Sequence, residues 1–214
     1  MTTADLDSST KVDGRLVRGA QTREKLLDAA LELFGSRGFH ATGMRDIAHG
    51  ADIRPPSIYN HFGSKESVLA AALETGLREF HRYVVLPDDI GAPSAARLES
   101  LVRLHVAYQA ENSSSVRAAD RLLEFITAGE LLTDTARQGI DELLKNYRIL
   151  INRLIDDIRT TTITMLPSTE VCTAAVLSLC DRSATWHSTP VDIERTQDEC
   201  WTLIAGMLGQ RTTI

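Results

Sequence analysis

The chain has 214 residues, 43% of them apolar and 5% aromatic, with a formal net charge of −6 at pH 7. That length allows one or two domains with sizeable cores, and the acidity argues against a general coat on nucleic acid. No run of about 18 apolar residues marks a membrane span, and three widely spaced cysteines (Cys172, Cys180, Cys200) exclude a disulfide framework or zinc site in favour of buried free thiols.

The charge is unevenly shared. Through Lys65, 9 Lys/Arg stand against 8 Asp/Glu, and beyond it 14 against 21. An acidic body with a nearly neutral head suits a protein that touches DNA at one end only. The opening residues lack a basic-then-apolar leader pattern, so the cytoplasm is the expected compartment. Residues 1–20 are Thr-, Ser-, Asp- and Gly-containing without periodicity and read as a flexible tail.

From Thr22 the pattern turns helical. Leu26, Ala30, Leu33, Phe34 and Arg37 recur at three- and four-residue intervals, and Gly38 ends the helix as a residue able to take positive φ. Thr42 is a suitable N-cap for a second helix from Met44 to about His49, with Ile47 and Ala48 inward and Arg45 and His49 outward. Gly50-Ala51-Asp52-Ile53 reads as a sharp turn. Pro55 and Pro56 then fall in the first turn of a very short third helix, where their missing N–H groups have no intrahelical partner to lose. Ile58 and Phe62 point to the core and leave Ser57, Tyr59, Asn60 and His61 outward. Two short helices and a tight turn on a packed first helix make a helix-turn-helix unit, expected over residues 21–66.

Ser64 caps a long fourth helix to about Val84, with Val68, Leu69, Ala72, Leu73, Gly76, Leu77 and Phe80 inward. It opens the second domain, residues 67–214, and is long enough to act as a lever between two sites. Leu86–Ser94 carries two prolines, a glycine and two carboxylates and reads as a loop, with Ser94 capping the next helix. Leu98, Leu101, Val102, His105 and Tyr108 form that helix's stripe. A further helix is expected from Val116 to Ala128, bearing Leu122, Phe125 and Ile126. Thr133 caps a long helix to about Thr160, and Ser168 and Val191 begin the last two. The fold class is all-α, with about nine helices.

The segments Thr22–Ala30, Leu33-Phe34, Gly38-Phe39, Thr42, Arg45–Ala48 and Ser57–Glu66 together resemble the DNA-binding head of the TetR family of bacterial transcriptional regulators, over about 50 continuous residues. The resemblance implies an all-helical homodimer whose C-terminal domain binds a small molecule and releases an inverted-repeat operator. Tyr59, His61 and Lys65 match family positions that touch the DNA backbone, and their polar groups suit phosphate oxygens. Thr42 can add a hydroxyl there. Arg45, Ser57 and Asn60 are candidates for reading base edges, Arg54 for either role, and Pro55 and Pro56 for apolar contact with thymine methyls. For each polar residue the plain alternative is a solvated surface group. The chain departs from the family at Asp52, where glycine is common, and at the Pro55-Pro56 pair.

In the body, Leu101, His105, Tyr108, Leu122, Phe125, Ile126, Tyr147, Ile151 and Trp186 are candidate ligand contacts, set against the alternative of ordinary core packing. They suggest a hydrophobic or amphipathic inducer, and Arg117, Arg121 and Arg148 could serve a charged one. Trp186–Pro190 followed by an acidic helix resembles the end of acyl-coenzyme A-sensing TetR members, although the basic residue usual beside the tryptophan is missing. Val171, Ala174, Ala175, Leu177, Ser178, Cys180 and Asp181 present small residues that let helices approach closely, and Trp201, Ile204, Ala205 and Leu208 give a second stripe. The family resemblance implies that those helices form the dimer interface, set against the alternative of burial within the monomer. No nucleophile–base pair, metal spacing or phosphate loop marks an enzyme, and no cofactor is expected. A DNA-binding regulator governed by a protein partner, or by nothing, is the remaining alternative.

Overall fold

The computed structural model describes residues 3–112, 132–161, 166–186 and 192–210, and among these it contains helices and no strand. Eight α-helices follow one another: α1 Thr3–Arg37, α2 Met44–Gly50, α3 Pro55–Ile58, α4 Lys65–Phe80, α5 Ser94–Glu111, α6 Asp134–Thr161, α7 Thr169–Arg182 and α8 Ile193–Met207. The helix expected over Val116–Ala128 lies outside the described residues. None of the helices described is long and apolar enough to cross a membrane. The chain falls into two compact units, one within Met1–Glu74 and Arg117–Arg137, the other within Thr75–Val116 and Gln138–Ile214.

The first unit is built on α1. Leu26, Ala30, Ile47, Ala48, Ile58, Val68 and Leu69 are fully buried and Phe34 nearly so, each large side chain contributing about 1.5–3 kcal/mol. Gly50 lets α2 lie close on α1: a Cβ there would stand 3.3 Å from Ala29 Cβ and 3.4 Å from Leu33 Cδ1. Gly38 ends α1 at φ 88°, as its position suggested. The structure begins α1 at Thr3, whereas an irregular tail to residue 20 was expected. Residues 3–20 contain no proline to break the ladder, and Gly14 and Gly19 weaken helix propensity without forbidding it. Leu16 and Val17 on this extension are exposed.

The second unit closes around Val84, Leu98, Leu101, Val102, Val106, Tyr147, Ile151, Leu154, Ile155 and Ile158, together with Cys172, Cys180, Cys200 and Trp201. All three cysteines are free and buried. α6 contributes most regularly, burying Ile140, Tyr147, Ile151, Leu154, Ile155 and Ile158 at helical spacing. Trp201, Ile204, Ala205 and Leu208, one of the stripes assigned to a partner, are buried in the chain's own core. Val171 and Leu203 are the exposed large apolar residues of α7 and α8, at 57% and 54%.

Caps follow the expected chemistry in some places only. Ser168 accepts from Val171 N–H at 3.4 Å and Thr133 from Ala136 N–H at 3.4 Å. Ser94 does not cap α5; Pro93 holds that position, and the Ser94 hydroxyl donates to Asp157 at 2.8 Å. After Phe80 the helical ladder widens into one π-turn, His81–Val85, closed by Leu86 N–H donating to the His81 carbonyl at 3.0 Å. The following loop is pinned by Arg97, whose guanidinium grips both Asp88 oxygens at 3.0 and 2.6 Å.

Candidate nucleic-acid interface and ligand site

α2 and α3 meet across a turn whose pivot is Asp52, in the left-handed region at φ 56°. Asp tolerates that region better than most residues, so the absence of glycine does not prevent the turn. Ile53 N–H returns to the Ala48 carbonyl at 2.8 Å and sets the exit from α2. Arg54 then takes an extended conformation, ψ 129°, with Pro55 and Pro56 in the first two helical positions. The α-helical ladder stops at Ile58. Asn60, His61 and Phe62 continue as turns, their N–H groups returning to Ser57 and Ile58 at 2.9–3.1 Å. The third helix is thus shorter than its sequence pattern suggested, because its only deep anchors are Ile58 and Phe62.

Of the candidate DNA contacts, Arg45, Arg54, Pro56, Tyr59 and Asn60 are exposed, Tyr59 to 57%. Pro55, Ser57, His61 and Lys65 are half-buried. Lys65 is already engaged, its ammonium donating to the Phe39 carbonyl at 2.8 Å and lying 4.3 Å from the Phe39 ring centroid. An ammonium has three donors, so this bond leaves capacity for a phosphate. Thr42 differs from expectation. It is 1% exposed, and its hydroxyl donates to the Gly38 carbonyl at 2.9 Å and approaches the Leu33 carbonyl at 3.3 Å. The N-cap of α2 is Gly43, whose N–H donates to the Asp46 carboxylate at 2.8 Å. Thr42 therefore ties off the end of α1, where carbonyls lack intrahelical partners, and its hydroxyl is withdrawn from any DNA surface. At the start of α4, Ser64 and Ser67 exchange backbone N–H to hydroxyl bonds at 3.1 Å. Glu66 sits in the same turn, its carboxyl held below the usual range by its own backbone N–H and the Ser64 hydroxyl.

In the second unit, six of the nine candidate ligand residues are described and share one core. Leu101, Tyr147 and Ile151 belong to it, Tyr108 and Trp186 pack on it, and His105 bonds into it. Leu122, Phe125 and Ile126 lie outside the described residues, as do Arg117 and Arg121; Arg148 is exposed. Phe80 is the hub: its ring meets those of His105, Tyr108 and Tyr147 edge-on, with centroids 4.8, 5.3 and 5.0 Å away. His105, 2% exposed, has three polar neighbours. Its Nδ1 is 3.2 Å from the Tyr147 hydroxyl, and its Nε2 is 3.1 Å from Asp181 Oδ1 and 3.2 Å from the Gln109 amide nitrogen. Burial drives the Tyr147 phenol well above its ordinary pKa, with Cys180 and Asp181 adding to it. Burial also pushes Tyr108 up to about 12, Glu79 adding and Arg82 opposing. The Tyr108 hydroxyl donates to the Gly76 carbonyl at 3.3 Å.

Sequence reasoning did not single out Phe80, Gln109 or Asp181 for this site. Gln109 carried a signal, lying four residues beyond His105 and so on the same helix face. Asp181 carried none, since its partner is far away in the chain.

A short helix, a left-handed turn and a proline-initiated reading segment on a buried three-helix base define a helix-turn-helix DNA-binding head on an all-helical chain. Residues 26–72, which hold α2, the turn and α3, match the family model described as "Bacterial regulatory proteins, tetR family". The transcriptional repressor KstR2 of Rhodococcus jostii is 38% identical over 115 residues, 53% of this chain and 52% of that one. This chain thus spans about half the length of that curated relative. Solved structures share the fold more widely. A tetR-family regulatory protein from Rhodococcus RHA1 superposes with a TM-score of 0.78 at 23% identity, covering 89% of this chain and 98% of that one. AibR, in complex with isovaleryl coenzyme A and operator DNA, does so at 0.74 and 20%, covering 89% and 100%.

Proposed function

We propose that this protein is a ligand-responsive transcription regulator of the cytoplasm, acting as a repressor. A homodimer holds an inverted-repeat operator and lets go when a hydrophobic or amphipathic small molecule enters the C-terminal unit. The observation that carries this reading is the α2–turn–α3 head, which buries Ile47, Ala48 and Ile58 completely while leaving Arg45, Arg54, Tyr59 and Asn60 exposed. A segment of four helical residues has no stability of its own, and its exposed polar groups match the inventory that reads phosphates and base edges.

Two-fold pairing places two such heads on successive half-sites. The exposed Val171 and Leu203 of the last two helices support pairing there. The ligand end is supported by the aromatic core around Phe80 and by AibR, a fold neighbour in complex with isovaleryl coenzyme A. Coupling between the sites is reciprocal by thermodynamic necessity, and α4 is the continuous helix available to carry it.

The test selects binding sites from random duplex DNA with purified protein, then titrates the recovered site at several salt concentrations. An inverted repeat bound by two protomers, with affinity falling steeply as salt rises, is the expected result. Recovery of no preferred sequence, or binding by a single protomer, would overturn the proposal.

A further inference from the structure

We infer that Arg23, which lies on α1 outside the reading segment, is a phosphate-binding residue aimed by the ring of Phe62, so that each head grips the DNA backbone from α1 as well as from α2 and α3. The inference rests on the DNA-binding reading given above and adds a residue to it.

Burial fixes the ring, and exposure leaves the charge accessible. Phe62, 5% exposed, anchors the reading segment, its N–H returning to the Ile58 carbonyl at 2.9 Å. The Arg23 guanidinium carbon stands 5.2 Å from the centroid of that ring, while the residue as a whole remains exposed. Arg23 precedes the buried Leu26 and Leu27 by three and four positions, so its stem starts at the core edge of α1. The ring of His61, a candidate backbone contact, is 6.5 Å from the same Phe62 ring. One buried aromatic thus gathers an arginine from α1 and an imidazole from the end of the reading segment. The head repeats the device at Lys65, whose ammonium lies 4.3 Å from the Phe39 centroid.

The chemistry of the pair suits a phosphate. A cation over a ring face is attracted to the π system yet keeps its N–H groups for other acceptors. Among the described residues, no hydrogen bond or ion pair occupies those of Arg23. The guanidinium fork matches two phosphate oxygens at once. A side chain already restrained by stacking also loses less freedom when it takes them. Base reading falls to the α2–α3 segment. A residue of α1 beside that segment meets the strand bordering the groove, where contacts position the protein without reading sequence.

The experiment titrates the selected operator with full-length protein between about 50 and 200 mM salt. It compares Arg23→Gln with Lys25→Gln, which removes an equal charge from an exposed position of the same helix. For each protomer bound, Arg23→Gln should reduce the slope of log affinity against log salt by about 0.9, the value of one phosphate contact. Over that roughly fourfold range of salt, a dimer lacking two contacts should see its deficit against the unaltered protein shrink about twelvefold. All duplexes should weaken alike, and Lys25→Gln should leave the slope as it was. In a Phe62→Leu background, which keeps an apolar side chain but removes the ring, Arg23→Gln should cost about threefold less in affinity or better. Circular dichroism melts separate these effects from loss of fold. A slope unmoved by Arg23→Gln, an equal change from Lys25→Gln, or a cost indifferent to Phe62→Leu would overturn the inference while leaving the DNA-binding reading intact. Inability of the unaltered protein to hold any duplex would defeat both.

Discussion

Thr42→Val isolates one atom. Valine has the shape of threonine with a methyl in place of the hydroxyl, so no cavity opens at this 1% exposed position. What disappears is the bond to the Gly38 carbonyl at 2.9 Å and the weaker approach to Leu33 at 3.3 Å. A neutral hydrogen bond is worth about 1 kcal/mol net, and a carbonyl left buried without a partner costs about 1–3 kcal/mol. Because two carbonyls share the hydroxyl and one contact is long, about 1–2 kcal/mol is the expected loss. For a chain of this size that is roughly 2–8 °C in melting temperature. The assay is a circular dichroism melt, with amide exchange on residues 33–50 to localise the loss, alongside operator affinity as a function of salt. Affinity should change only as far as the head is destabilised, and the slope of log affinity against log salt should stay as it was. An unchanged melting temperature with a fall in affinity would refute this reasoning, because it would mean that the hydroxyl serves DNA and not the end of α1.

The exposed residues of the head predict a different pattern. Tyr59→Phe should weaken binding to every duplex alike, whereas Arg45→Ala should alter the ranking of sites in a competition assay; equal weakening of all sites by Arg45→Ala would remove it from base reading. Burial holds the phenols of Tyr108 and Tyr147 in their neutral form above the ordinary pKa of 10.0. The stability this represents is intact below pH 10 and is lost as pH rises, through about 12 for Tyr108. Melting temperature should therefore fall above pH 10, and Tyr108→Phe should blunt the fall; an equally steep decline in that variant would count against the buried phenol. The three cysteines are at most 1% exposed, so a thiol reagent should find none in native protein and all three in guanidinium, and rapid native labelling would contradict their burial.

The order and class of the helices were legible because apolar spacing reports which face is buried, and burial is what makes these helices stable. The head was legible further, down to the positive φ of Gly38 and the prolines opening α3, because glycine alone takes that φ at no steric cost and proline fixes its own. Thr42 shows where such reading stops. A threonine before a helix can cap it or turn its hydroxyl back to the previous one, and only the packing of α2 on α1 decides between them. The same holds for Trp201, Ile204, Ala205 and Leu208, since periodicity marks a face as apolar without saying whether the chain itself or a partner covers it. The contact between His105 and Asp181 depends on how α5 and α7 pack, which no local pattern encodes.

The Arg54-Pro55-Pro56 run has a consequence away from any contact. A pyrrolidine ring fixes φ, and the residue before a proline is kept out of the helical region, so three neighbouring positions have few alternatives even when the head is denatured. Arg54 at ψ 129° already occupies the basin left open to it. The disorder surrendered on forming this single turn is correspondingly small, by about 0.4–1 kcal/mol for each proline. The turn is therefore narrowed to few conformations before it docks, and Pro56→Ala, at an exposed position, would loosen the DNA-binding surface through the denatured ensemble.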